Sequence, residues 1–103
     1  MSIYYKNYVD EHDKIKGYAI VKKGFHAYIH KHEEPEVYHF VMGTGKLYID
    51  GEIKIINSPQ TVFIKGGQYH AMTAISDEVV LLYEFPRHGP FKSIKYTYLS
   101  SHL

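Results

Sequence analysis

The sequence predicts an all-β protein, a jelly-roll barrel or two packed sheets, on three observations. Short β-rich segments recur along the 103 residues with turn residues between them, and helical periodicity is weak throughout. About nine antiparallel strands in this length leave little space for helices, so the strands must close into a barrel or pack as two sheets.

The first readable strands are Gly17–Lys22 and His26–His32. A Glu-Glu-Pro turn ending at Pro35 opens Glu36–Met42, since proline interrupts a ladder. Gly43-Thr44-Gly45 then turns the chain into Lys46–Ile49. Asp50-Gly51 links that strand to Glu52–Ile56, and because both residues tolerate positive φ the link suits a type I′ hairpin. Ser58-Pro59 precedes Thr61–Ile64, Gly66-Gly67 precedes Tyr69–Ile75, and Ser76-Asp77 precedes Val79–Phe85. The PRHGP run from Pro86 to Pro90 ends the apolar strand, and Ser93–Leu99 closes the series. No linker, repeat or low-complexity tract divides the chain, so residues 1–103 are expected to form a single domain.

Composition narrows the function. Hydrophobic residues at 45% and charged residues at 22% supply a core of ordinary globular character. A net charge of +1, with both signs interleaved, gives no basic stripe for a phosphate backbone, so nucleic acid is not an expected partner. No apolar run approaches the roughly 20 residues of a membrane span, and the N-terminal stretch lacks the apolar region of a secretory signal. The expected compartment is cytoplasmic. Cysteine is absent, which removes disulfides, thiolate ligands and thiol nucleophiles, so any metal must be held by nitrogen and oxygen.

Eight histidines remain to be placed. His30 and His32 are two apart on an expected strand, so both imidazoles leave the same face, about 6.6 Å apart along the backbone. Glu36 follows the Pro35 turn as a carboxylate able to reach back, and His70 comes from a later strand after the Gly-Gly turn. His12, His26, His39, His88 and His102 read as ordinary polar residues, and Glu33 and Glu34 as a solvated loop.

From Gly24 to Gly43 the chain reads G-FHAYI-H-K-H-EEP-E-VYHFVM-G, matching the first cupin motif, G-x5-H-x-H-x3-E-x6-G, at every defined position. The second cupin motif, G-x5-P-x-G-x2-H-x3-N, is partly present. Gly67 and His70 fit it, whereas Pro59, Lys65 and Ala74 replace the first glycine, the proline and the asparagine. The sequence thus resembles a minimal cupin, which implies a small double-stranded β-helix with a 3-His/1-Glu site at its mouth, held here by His30, His32, Glu36 and His70.

Three neutral imidazoles and one carboxylate would leave a divalent cation with one net positive charge, a site suited to small anionic, oxygen-rich chelators. The donor set admits one divalent ion of Fe, Mn, Ni, Co, Zn or Cu. Residues sharing strand faces with the ligands predict an apolar, aromatic pocket: Tyr28, Tyr38, Phe40, Met42 and Met72. Such a pocket would take the polar end of a ligand on the metal and its ring or chain on the side chains. Tyr48, Gln68, Tyr83 and Arg87 are further substrate-orienting candidates, and Glu36 or Tyr38 the expected proton acceptor.

Two functions fit. One is a metal-dependent enzyme, dioxygenase-like first and isomerase, lyase or cyclase next; the other is a sensor or binding module for a sugar or organic acid. The tyrosine-rich ends SIYYKNYV and SIKYTYL are expected to pair with a second copy, making a homodimer.

Overall fold

Along strand β2 (Ile15–Lys22), Ile15, Gly17, Ala19 and Val21 are buried and the residues between them are more exposed, the period of two of a strand with one face on a core. A computed structural model describes residues 3–86 and 94–103. The expected turn at Arg87–Pro90, the candidate Arg87, His88 and the start of the expected strand at Ser93 lie outside the described residues. The other strands are β1 (Ile3–Val9), β3 (Tyr28–Lys31), β4 (Glu36–Met42), β5 (Thr44–Ile49), β6 (Glu52–Asn57), β7 (Gln60–Ile64), β8 (His70–Ala74), β9 (Glu78–Glu84) and β10 (Thr97–His102). They form two five-stranded sheets, ordered β1-β2-β9-β4-β7 and β10-β3-β8-β5-β6. Every recorded pairing is antiparallel.

The architecture is the all-β jelly roll expected from the sequence, and the described residues contain no helix. Val21, Phe40, Leu47, Ile56, Val79 and Leu81 fill the space between the sheets. The Asp50-Gly51 hairpin forms as expected: Ile49 pairs with Glu52, and both turn residues have positive φ, 44° and 89°. No helix among the described residues is long and apolar enough to cross a membrane.

Both chain ends find partners within the chain. β1 pairs with β2 over seven positions, from Ile3 opposite Val21 to Val9 opposite Ile15. Its turn carries no glycine or proline, which hid the hairpin from the sequence reading. Instead the Asp10 carboxylate accepts the backbone N–H of His12 and Lys14 at 2.8 and 3.0 Å, and Asp13 takes φ 60°. At the other end, β10 sets Tyr98 opposite His30 on β3.

One contact brings the two histidine-bearing regions together. Where a Cβ on Gly66 would stand lies the Glu33 carbonyl, and Gly67, at φ 83°, donates its N–H to the His32 carbonyl at 2.8 Å. The turn before β8 is thereby clamped to the loop after β3.

Candidate metal centre

His30 pairs directly with His70 across β3 and β8, His32 lies one residue past the end of β3, and Glu36 opens β4. Ring centroids are 4.4 Å apart for His30 and His70, 5.0 Å for His32 and His70, and 6.1 Å for His30 and His32. One ring nitrogen from each lies within 4.8 Å of the others. Neighbouring nitrogens around one ion at about 2.1 Å stand about 3.0 to 3.4 Å apart, so side-chain shifts of up to about 1 Å close the triad on a metal.

Each ring is oriented in the same way. His30 Nδ1 meets the Tyr28 carbonyl at 3.1 Å, His32 Nδ1 the Glu34 carbonyl at 2.8 Å, and His70 Nδ1 the Gln68 carbonyl at 2.9 Å. A carbonyl only accepts, so each Nδ1 carries the proton and Nε2 is the nitrogen left to coordinate. His70 Nε2 is buried with no hydrogen-bond partner, a costly arrangement for a polar atom unless a ligand engages it. The residues present therefore fit a metal ion.

Glu36 completes the cluster. Its Oε1 lies 3.1 Å from His32 Nε2 and 3.5 Å from His70 Nε2. Burial raises the Glu36 pKa, but the hydrogen bond with His32 and the closeness of His70 outweigh it and leave the carboxyl below its usual range. Burial likewise works against charge on His32, and the hydrogen bond and charge of Glu36 overcome it, raising its pKa. His30 goes the other way, pushed down to about 4 by burial and then by the neighbouring His70. Its imidazole is neutral at physiological pH.

His30 and Glu36 stand on the wall of a cavity of about 400 Å³ between the sheets. Tyr38 reaches it from β4 with its hydroxyl toward the Glu36 carboxylate, and burial followed by the Glu36 charge holds its pKa well above the ordinary phenol value.

A protein-family model described as the cupin domain matches residues 17–86, more than half of the chain. The chain belongs to the cupin family. No curated protein matches the sequence. Among solved structures, a cupin-like protein of Thermotoga maritima is similar over 96% of this chain and 77% of its own, at 19% identity and TM-score 0.79. The DMSP lyase of Ruegeria pomeroyi aligns at 15% identity and TM-score 0.76 over 92% of this chain, and a variant of the salicylate 1,2-dioxygenase of Pseudoaminobacter salicylatoxidans at 9% and 0.77 over 96%. This cupin spans 50% of the lyase chain and 32% of the dioxygenase chain. At these identities the likeness is one of fold.

Of the expected substrate residues, the cupin brings Tyr28, Tyr38, Met72 and Tyr83 to the cavity wall. Phe40 is 2% exposed and belongs to the packed core instead. Met42 is 55% exposed, because β4 bulges between Phe40 and Met42 and turns Met42 to the outer face opposite Val80. Tyr48 alternates with the fully buried Leu47 and so stands on the other face of its sheet. Gln68 is a turn residue: its Oε1 accepts from Lys65 N at 2.8 Å and its Nε2 donates to Asp50 at 3.3 Å. Burial and the Glu36 charge keep the proton on the Tyr38 hydroxyl, which makes it a hydrogen-bond donor.

Sequence reasoning missed Tyr96, Tyr98 and Phe85, whose rings lie 5.3 to 5.8 Å from those of His30 or His32. Tyr96-Thr97-Tyr98 repeats the spacing of His30-Lys31-His32, a signal that becomes readable once β10 is known to pair with β3. His26 lies on the cavity rim, whereas His39 is on the outer face of its sheet, bonded to Thr61 and Glu84.

Proposed function

We propose that this cupin is a metal-dependent enzyme that holds one divalent cation through His30, His32, Glu36 and His70 and transforms a small substrate that chelates it. The observation carrying this reading is the trio of imidazoles whose Nδ1–H groups are all held by carbonyls, leaving Nε2 atoms to converge with Glu36 beside a cavity. The N/O donor set accommodates Fe, Mn, Ni, Co, Zn or Cu. A cation bound there supplies Lewis-acid polarisation of a chelated oxygen or O2 chemistry. The side chains do the rest: the buried apolar residues Ala19, Val21 and Leu81 keep water off the inner wall, and Tyr38 holds a proton toward the Glu36 end of the cavity, where it can donate to a substrate oxygen. Dioxygenation ranks first, then isomerisation, cyclisation or a lyase reaction; the fold neighbours named as a dioxygenase and a lyase support that choice of classes.

The second reading is a sensor or binding module for a small acid or sugar. It is favoured by one observation: Glu36 is the only carboxylate among the described residues of the wall, and the half-buried Tyr38 and Tyr83 keep their protons. The two readings separate in a turnover assay on iron-, manganese- or nickel-loaded protein with catechols and enediols. Oxygen uptake or product formation lost in His70→Ala supports the enzyme. Tight ligand binding with no turnover for any metal supports the sensor. The reading includes a homodimer, supported by the open edges of β1 and β10; a light-scattering mass of 12.0 kDa at high concentration would end it.

A further inference from the structure

The metal ligands account for most of the strongly polar chemistry of the cavity. The buried apolar part of its wall is Ala19, Val21, Leu81 and Met72, between 2% and 8% exposed. Strand register explains why these meet. Ala19 sits opposite Leu81 across β2 and β9, and both point inward. Ile3 and Tyr5 of β1 continue the same face, opposite Val21 and Ala19, and close the cavity from the side. Among the described residues no Lys, Arg, Asn, Gln, Ser or Thr lies on this wall. Its ionisable groups are His30, Glu36, the exposed rim residue His26 and tyrosines.

A second carboxylate, or a row of hydroxyls, lying along Ala19, Val21 and Leu81 would give up water for side chains that offer it no hydrogen bond. Each methylene buried there instead tightens binding about fourfold. At about 30 Å³ per water, the 400 Å³ cavity holds roughly 13 waters' worth of volume, room for a chain or ring of about that many heavy atoms.

Resting on the metal reading of the site, we propose that the substrate is a singly charged chelator with an apolar body. Its anionic head lies at His30 and Glu36, its ring or chain lies along Ala19, Val21 and Leu81 under β1, and dicarboxylates and polyhydroxylated acids are rejected.

The test is calorimetric titration of zinc-loaded protein with octanoate, octanedioate and gluconate. Octanoate should bind at least tenfold more tightly than either of the others. Ala19→Leu, which fills the cavity, should weaken octanoate at least fivefold with zinc content unchanged. Tyr5→Arg, at an exposed position that folding tolerates, should narrow the gap between octanoate and octanedioate. Octanedioate or gluconate binding as tightly as octanoate, or no octanoate binding to zinc-loaded protein, overturns the proposal. A protein that retains no zinc contradicts the metal reading instead, and octanol against 1,8-octanediol then tests the wall alone: a tenfold preference for octanol supports it and equal binding overturns it.

Discussion

Two clusters in this cupin are made from the same residue types, and only one of them has the environment for chemistry. On the outer face of one sheet, His39 Nδ1 meets the Thr61 hydroxyl at 3.0 Å and its Nε2 lies 3.4 Å from Glu84. Within the barrel, His32 Nδ1 meets a carbonyl at 2.8 Å and its Nε2 lies 3.1 Å from Glu36. The bonding is nearly the same. The side chains of the outer pair are 40% and 34% exposed, however, and those of the inner pair 1% and 7%. Water screens the first pair, and the second interacts at low dielectric beside two further imidazoles. Convergence and burial separate a site from a surface contact, more than residue identity does.

The largest expected contrast is in metal content. A His30→Ala/His70→Ala double variant should lose nearly all bound metal by plasma mass spectrometry, whereas His39→Ala should keep the wild-type content.

Next comes stability without metal. Glu36→Ala strips the partner from a buried His32, which typically costs about 3 kcal/mol, whereas Glu84→Ala at the exposed pair should stay within about 0.5 kcal/mol. Denaturant melts in the presence of chelator read both.

The pH dependence sharpens the same difference. His30 has its folded pKa pushed down to about 4, below the unfolded value near 6.5, so the unfolded chain binds more protons between those values. The stability from keeping it neutral is present above pH 6.5 and is lost as pH falls to 4, by about 2 kcal/mol after allowing for solvent screening. Glu36, lowered, acts in the same direction at more acid pH, while His32, raised, opposes it by favouring the fold below pH 6.5. His30→Gln should flatten the metal-free stability profile between pH 7 and 4.

The smallest effect is expected at Tyr83→Phe. The Tyr83 ring lies where a Cβ on Gly17 would stand, and its hydroxyl donates to Asn7 on β1. Its loss should cost about 1 kcal/mol and raise amide exchange in β1 before the rest of the sheet.

Much of this was legible in the sequence because short-range chemistry specified it. Asp50-Gly51 dictated its hairpin, and the strand Glu36–Met42 has the expected limits. His30, His32, Glu36 and His70 came together as their spacing and the resemblance implied. The misreadings came from long-range register. A bulge before Met42 flipped a parity that alternation alone could not reveal. The β1 hairpin closed on the Asp10 carboxylate instead of a glycine, so the Ile3 and Tyr5 side of the cavity had no signal. Tyr96 and Tyr98 reach the histidines only through pairing across more than 60 residues of chain.

Metal stoichiometry tests the central claim most directly. The protein is purified without tag or chelator, and bound metals are counted by plasma mass spectrometry beside the His30→Ala/His70→Ala and His39→Ala variants. The account predicts close to one divalent transition metal per chain in the wild type and in His39→Ala, and close to none in the double variant. A folded wild-type protein that holds no metal after loading, or a double variant that holds as much as the wild type, would contradict it.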